Sequence, residues 1–249
     1  MVTAGLTKKF DFTIVIMMVL VLSHCTFLGI PVDGSGSMVT TQRQVTPFTE
    51  IEASGKLDME LVADSLCTIS IEAQENLVPY IRTEVKNHRL IISTTAPLRS
   101  TSPVRVMVTL PAIARLEVSQ FGKISATGPL PAEEFTAVIR KSGTIAMELS
   151  TKTARLFLTD TEIVRIKGTT HTVEATLYGR AILDSRALTA TVGRAHVYGP
   201  SQCSIFASKV LFANVDGPGE IIYYGQPEEL NRQVNGPGQI TAGIKSPHN

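Results

Sequence analysis

The sequence predicts an all-β fold: a right-handed parallel β-solenoid with a smaller N-terminal β unit. Three observations favour it. From residue 45 onward, short runs alternate apolar and polar residues; apolar residues at helical spacing are scarce; and one short motif recurs roughly every 19 residues. The chain of 249 residues has no Trp and only 6% aromatic residues. Many small and β-branched residues suit stacked strands. A β-sandwich, with a turn every 8–12 residues, is the alternative.

The recurring motif is an apolar-x-apolar run, a turn that contains Gly or Asp, one polar residue and then an aliphatic residue. Its copies lie at residues 51–57, 116–124, 137–145, 156–163, 175–181, 190–195, 214–221 and 233–240. One such coil cannot bury its inward side chains alone, but stacked coils pair their backbone edges and share one core. Gly, Asp and Asn suit the bends because those positions often need positive φ. Crossovers between parallel strands favour the right-handed sense.

The region between the first copy and the main array departs from the repeat. Residues 83–92 predict a hairpin that turns at Asn87-His88. Residues 104–111 alternate as one strand that ends at Pro111. Single helical turns are expected at residues 75–80 and 131–135. The region either caps the array or forms a second β unit, with a possible boundary near residue 112.

The N-terminus has the layout of a secretory signal. Lys8 and Lys9 precede an apolar run from Phe12 to Leu22, which is the order of a cationic and then a hydrophobic segment. Three outcomes stay open: cleavage after Cys25, lipidation of Cys25 at a degenerate lipobox, or retention of the segment as an anchor. All three predict export of the rest of the chain.

Two cysteines remain in the exported body, Cys67 and Cys203. They could pair in an oxidising compartment. Each lies in a strand-like run, however, where a buried free Cys acts as a small apolar residue. Free thiols are therefore the favoured interpretation, and no Cys/His spacing resembles a metal site.

Charge argues against nucleic acid as a partner. The net charge is +1, and the basic residues are single and spread out, without interleaved aromatics. Residues 99–209 nevertheless carry fourteen Lys and Arg against eight Asp and Glu. A solvated surface explains this excess, and a basic face for an acidic envelope polysaccharide is the sharper alternative.

No catalytic, cofactor-binding or metal-binding residue is assigned, and no cofactor is expected. The acids available for a glycan-active β-helix enzyme are Asp160, Glu162, Glu174, Asp184, Asp216 and Glu220. Asp160 and Asp216 occupy turn positions, and His171 and His196 are interpreted as strand-surface residues. A ridge of exposed tyrosines would favour a binding surface instead, whereas ordinary strand packing is the favoured interpretation of these residues. The tyrosines considered for it are Tyr178, Tyr198, Tyr223 and Tyr224.

Several segments resemble the head GIN domain family, often labelled putative auto-transporter adhesin. They are residues 48–55, 72–80, 106–119, 216–227 and 235–240. The chain departs from the family in having Gly-Pro-Gly twice where Gly-Ser-Gly is usual. The resemblance implies a β-helical fold, export and an adhesin-like role.

The expected organisation is a signal peptide or membrane anchor at 1–31, a tether at 32–41, a GIN-like solenoid domain at 42–244 and a tail at 245–249. The expected function is that of an exported, non-enzymatic cell-envelope protein, either a binding or a structural module, located in the periplasm, at the outer membrane or outside the cell. Its partner is expected to be an envelope or surface glycan or protein, with membrane contact only through the N-terminal segment. A glycan-active lyase or hydrolase is the alternative.

Overall fold

A computed structural model describes residues 29–243, of which residues 31–243 belong to one compact unit. The N-terminal half contains eleven strands and one 3₁₀ segment at Glu75–Tyr80. The strands are β1 Val32–Asp33, β2 Met38–Gln44, β3 Glu50–Ser54, β4 Asp58–Ala63, β5 Thr68–Gln74, β6 Ile81–Lys86, β7 Arg89–Thr94, β8 Leu98–Arg99, β9 Arg105–Leu110, β10 Arg115–Ser119 and β11 Ile124–Pro131.

Residues 132–243 form strands joined by turns and bends. The strands are β12 Glu134–Arg140, β13 Thr144–Thr159, β14 Ile163–Tyr178, β15 Ile182–Ser185, β16 Leu188–Tyr198, β17 Gln202–Phe206, β18 Val210–Asp216, β19 Glu220–Tyr224, β20 Glu229–Asn235 and β21 Gln239–Ala242. Residues 1–28 lie outside the described residues. They include Cys25 and most of the signal segment predicted at 1–31. Within residues 29–243 no helix is both long and apolar enough to cross a membrane.

The strands stack in parallel as a β-solenoid of about 7 turns. The first sheet runs in the order β7, β3, β10, β12, β13, β14, β16, β18 and β20. The second sheet runs β9, β4, β11, β13, β14, β15, β17, β19 and β21. The long strands β13 and β14 contribute to both sheets. The predicted solenoid is therefore confirmed, and the β-sandwich alternative is wrong.

One bend column explains the recurring motif. In each coil the residue after the first-sheet strand has positive φ; these residues are Gly55, Gln120, Lys141, Asp160, Gly179, Gly199, Gly217 and Gly236. Backbone bonds join the bends of successive coils, as from Gly199 N to Asp216 O at 2.9 Å and from Gly217 N to Asn235 O at 2.8 Å. The motif repeats because each coil has to turn at the same place in the stack.

The core is a set of ladders in which each inward side chain lies on its counterpart one coil away. One ladder contains Ile145, Val164, Leu183, Cys203 and Ile221, all almost fully buried. A single buried cluster extends from Phe48 to Ile221. The core therefore continues across the sub-boundary considered near residue 112.

The N-terminal end is covered by antiparallel strands. β6 and β7 form the predicted hairpin, whose turn residues Asn87 and His88 have φ of 50° and 60°. On the second sheet, β5 pairs with β9 and β2 pairs with β5. Arg43 of β2 crosses the end of the stack and donates to Ile81 O at 2.9 Å and Thr83 Oγ1 at 2.8 Å. An inward charge of this kind protects an open strand edge.

Two local predictions are wrong. The helical turn expected at residues 131–135 is instead the junction of β11 and β12, because Pro131 ends one strand and buried Phe135 belongs to the next. Residues 32–41 are not a plain tether, because they include β1 and the first part of β2, which hydrogen-bonds to β5. The helical turn expected at residues 75–80 is present as the 3₁₀ segment, which buries Leu77.

Cys67 and Cys203 are free thiols, as favoured from the sequence. Cys203 lies in the core ladder, and burial raises the pKa of its thiol to about 12. Cys67 is only partly buried. We expect Cys203 at pH 8 to react about a thousandfold more slowly with iodoacetamide than an ordinary thiol, because the thiolate is the nucleophile.

The measurement is peptide mass spectrometry of a Cys25→Ser variant labelled in the folded state and again in urea. Cys67 should be modified in both samples and Cys203 only in urea. Equal labelling of the two thiols in the folded protein would contradict the buried position of Cys203.

Candidate functional site

The outer surface of the first sheet carries three exposed aromatic side chains: Phe157 (41% exposed), Tyr178 (44%) and Phe212 (36%). They lie on β13, β14 and β18, so they follow one another along the solenoid axis. An exposed aromatic cluster on an otherwise polar sheet marks a candidate interaction surface. We call the surface formed by Phe157, Tyr178, His196, Tyr198, Arg194 and Phe212 the aromatic face.

Tyr178 and Tyr198 stack in register on adjacent coils. Their ring centroids are 4.8 Å apart and their planes differ by 4°, which matches the spacing of neighbouring strands. His196 stacks on Tyr198 with centroids 4.0 Å apart. Three rings thus form one stack on a rigid sheet whose strands are hydrogen-bonded on both sides.

Asp216 contacts His196, the ring at one end of this stack. Its Oδ2 is 2.6 Å from His196 Nε2, and its Oδ1 accepts a bond of 2.7 Å from Asn235 Nδ2. These two hydrogen bonds, that from His196 first, lower the pKa of Asp216. The hydroxyl of Tyr198 lies 3.1 Å from His196 Nδ1. The His196–Asp216 contact fixes the orientation of the imidazole and so of the stack.

Ion pairs cross the coils beside the rings. Arg155 bridges Glu134 and Glu174, and Arg194 also contacts Glu174 at 3.3 Å. The guanidinium of Arg194 lies over the ring of Phe212, 5.4 Å from its centroid. Exposed pairs of this kind contribute little stability, but they offer hydrogen-bond donors and acceptors around an apolar strip.

A second ion-pair cluster lies at the N-terminal end of the same face. Glu117 accepts from Arg140 at 2.8 Å and from Arg115 at 2.9 Å. These bonds, with Arg140 the larger cause, lower the pKa of the Glu117 carboxyl. One carboxylate therefore serves two guanidiniums. The neighbouring strand β3 places Glu50 and Glu52 beside this group, where both bind Arg89.

The four tyrosines considered from the sequence do not form one ridge. Tyr178 and Tyr198 belong to the aromatic face, whereas Tyr223 and Tyr224 belong to the second sheet. Tyr223 packs against the core, and the ring of Tyr224 lies 5.9 Å from Arg186 Cζ. The four tyrosines therefore do not meet the condition set for a binding ridge, because the two pairs lie on different strands of each coil.

The acids considered for catalysis are spread over several strands and bends. Asp160 has φ of 49° at a bend and accepts from Arg180 N at 3.1 Å, as turn chemistry predicts. Asp184 binds Arg186, and Glu220 accepts from Gln239. Asp216 is next to Gly217, as predicted, but its contact with His196 was not foreseen.

The remaining predicted residues occupy different positions. Glu162 lies in the bend before β14, and Glu174 takes part in the ion pairs on the aromatic face. His171 is an exposed residue of β14. Among residues 29–243 no group of three or more His, Cys, Asp or Glu side chains could hold a metal ion.

Sequence reasoning missed Phe157, Phe212 and Arg194. Phe157 lies between Leu156 and Leu158, which are both buried, so the three residues look like one buried run. Strand alternation is the signal that could have separated them, because successive side chains point to opposite faces.

The fold and this surface define the class of protein: a parallel β-solenoid with an aromatic strip on one sheet. The chain belongs to the family described as putative auto-transporter adhesin, head GIN domain, whose model matches residues 47–227. This confirms the resemblance seen in the sequence. No curated protein matches the chain.

Solved structures share the fold at low sequence identity. A putative adhesin from Bacteroides fragilis has a TM-score of 0.81 at 19% identity, covering 85% of this chain and 100% of that one. A putative adhesin from Parabacteroides merdae has 0.67 at 16%, covering 86% and 99%. A putative lipid binding protein from Parabacteroides distasonis has 0.65 at 19%, covering 86% and 100%.

Proposed function

We propose that this protein is an exported, non-enzymatic module of the cell envelope that binds a surface glycan or protein through its aromatic face. In this proposal residues 1–31 direct export or anchor the chain, and the solenoid carries the binding surface. The observation that carries the proposal is the set of exposed rings Phe157, Tyr178 and Phe212 on the outer surface of one sheet, on β13, β14 and β18. The names of the family and of its structural neighbours support an adhesin-like role.

The aromatic face is rigid, so binding a ligand costs it little conformational entropy. Every strand below the rings is hydrogen-bonded on both sides, and Tyr178, Tyr198 and His196 are already stacked. A ligand that covers the strip gains apolar burial without ordering mobile loops, which is the advantage of a preorganised site. The ion pairs of Arg155 and Arg194 supply polar groups at its rim.

The test is retention of the purified protein on immobilised envelope polysaccharide fractions and envelope surface proteins. We expect the double change Phe157→Ala/Phe212→Ala to weaken retention by about tenfold or more, since each aromatic anchor contributes roughly 1–2 kcal/mol. Ile182→Ala is the control, because Ile182 is 38% exposed but belongs to the second sheet.

Two results would contradict the proposal. Equal retention of the double variant would remove the aromatic face from the binding site. Release of new reducing ends from a bound polysaccharide would favour the glycan-active enzyme instead. The location of the mature N-terminus, by intact mass and cell fractionation, tests export separately, and an intact Met1 in the cytoplasm would contradict it.

A further inference from the structure

The aromatic face contains a gap of one coil next to the tyrosine stack. Arg140, Thr159 and Tyr178 occupy the same column on successive coils. Strands in a sheet are about 4.8 Å apart, so the arginine and the tyrosine start about 10 Å from each other. The side chain between them is a short threonine, which leaves the outer side of Tyr178 uncovered. The space above Thr159 has the height of one ring.

The walls of this gap are apolar on one side. Phe157, two residues before Thr159, is exposed on the same face, and Val138 is its neighbour on β12. A ring placed over Thr159 would continue the stack of Tyr198 and Tyr178 and would contact Phe157 at its edge. The C–H groups of a sugar ring carry partial positive charge and pack well on the electron-rich face of an aromatic ring.

The other sides of the gap carry two basic side chains, Arg140 and Lys141. Arg140 belongs to the cluster in which one carboxylate, that of Glu117, serves two guanidiniums. Lys141 follows Arg140 at the bend, is exposed, and has no carboxylate within 4 Å among residues 29–243. The acid at the next bend, Asp160, accepts a hydrogen bond from the backbone of Arg180 and lies over Gly179. The Asp160 carboxylate keeps its negative charge, so the gap faces the two cations Arg140 and Lys141 and this one carboxylate.

We propose that the gap over Thr159 is a subsite for one pyranose ring of an anionic glycan, stacked on Tyr178 with its acidic group towards Arg140 and Lys141. This inference rests on the proposed function and narrows its ligand to a class. A neutral sugar would use the stacking contact alone. An acidic sugar also gains a charge contact of the kind that weakens as salt rises.

The experiment is calorimetric titration of the purified full chain with hexagalacturonate, an acidic pyranose oligomer, and with neutral cellohexaose of the same length. We expect hexagalacturonate to bind about tenfold or more tightly than cellohexaose at low salt. Tyr178→Ala should weaken both ligands by about tenfold. Arg140→Gln/Lys141→Gln should weaken only the acidic one and remove the preference.

Matched controls separate these effects from general damage. Lys209→Gln removes an exposed charge at a different bend, and Tyr80→Ala removes a tyrosine that is 36% exposed at the N-terminal end. Both should leave binding unchanged. Circular dichroism and thermal unfolding of each variant would verify that it is folded.

The outcomes distinguish the two proposals. Equal binding of the two oligomers, lost in Tyr178→Ala, would overturn the anionic class while supporting the aromatic face. Binding that is insensitive to Tyr178→Ala would overturn the subsite. Failure of both oligomers to bind would overturn the glycan subsite, whereas retention on envelope material that depends on Phe157 and Phe212 would still support the proposed function.

Discussion

Replacing Gly168 by Ala is expected to lower the free energy of unfolding by about 3–5 kcal/mol, the range reached when backbone strain and overlap coincide. Gly168 has φ of +116° in the middle of β14. An added Cβ would run into the backbone carbonyl of Leu149 on the neighbouring coil. Since that carbonyl belongs to the parallel ladder of β13 and β14, it cannot move without opening the ladder. Urea unfolding followed by circular dichroism would measure the loss.

Gly128→Ala is the matched control. Gly128 also has positive φ, +78°, but an added Cβ would meet nothing within 4 Å. Its cost is therefore the conformational term alone, about 1–2 kcal/mol. If both variants lose the same stability, the close approach at Leu149 does not matter, and strain in the backbone alone explains the glycine at residue 168.

The architecture could be predicted from the sequence because the solenoid repeats its constraints. The bend has to recur at one place in each coil, so its turn residues recur in the chain, as at Gly199, Gly217 and Gly236. The copies at residues 116–124 and 137–145 have no glycine at this position, yet Gln120 and Lys141 adopt positive φ at the same bend. The stack imposes the conformation on these residues, which local preference alone does not predict.

Gly168 illustrates what the sequence pattern leaves out. It lies within a run that alternates as a strand, and its need for glycine arises from Leu149, 19 positions earlier, on another coil. Pro131 and Phe135 were misread for a similar reason, because a short run with two glutamates resembles a helical turn until its burial is known. Arg43 also acquires its role from the fold, which brings Ile81 and Thr83 to it.

Only part of the candidate site could be predicted. Tyr178 and Tyr198 were considered from the sequence, but only as half of a conditional ridge of four tyrosines. Their separation from Tyr223 and Tyr224 depends on which sheet each strand joins, which the motif spacing does not reveal. The His196–Asp216 contact depends on two coils that are 20 residues apart in the chain.

The second large effect is expected in the core, where Phe135→Ala should lower the free energy of unfolding by about 3–5 kcal/mol. Phe135 is fully buried, and its neighbour one coil on in the same column is the small Ala154. The large side chain of Phe135 fills the space beside the small Ala154. Ala154 cannot expand into the cavity that the change to Ala would leave. Each coil of a solenoid is stabilised mainly by the coils next to it. The loss should therefore weaken the interfaces on both sides of β12.

Phe157→Ala is the control for this change, because it removes the same atoms from the next coil. Phe157 is 41% exposed and points out of the same sheet, so its removal should cost about 1 kcal/mol or less. Urea unfolding and ligand retention measured on both variants would then show opposite patterns. Phe135→Ala should lose stability and, while folded, keep its ligand, whereas Phe157→Ala should keep its stability and bind more weakly. Similar stability losses in the two variants would mean that Phe157 is a packing residue, and the aromatic face would lose one of its three exposed rings.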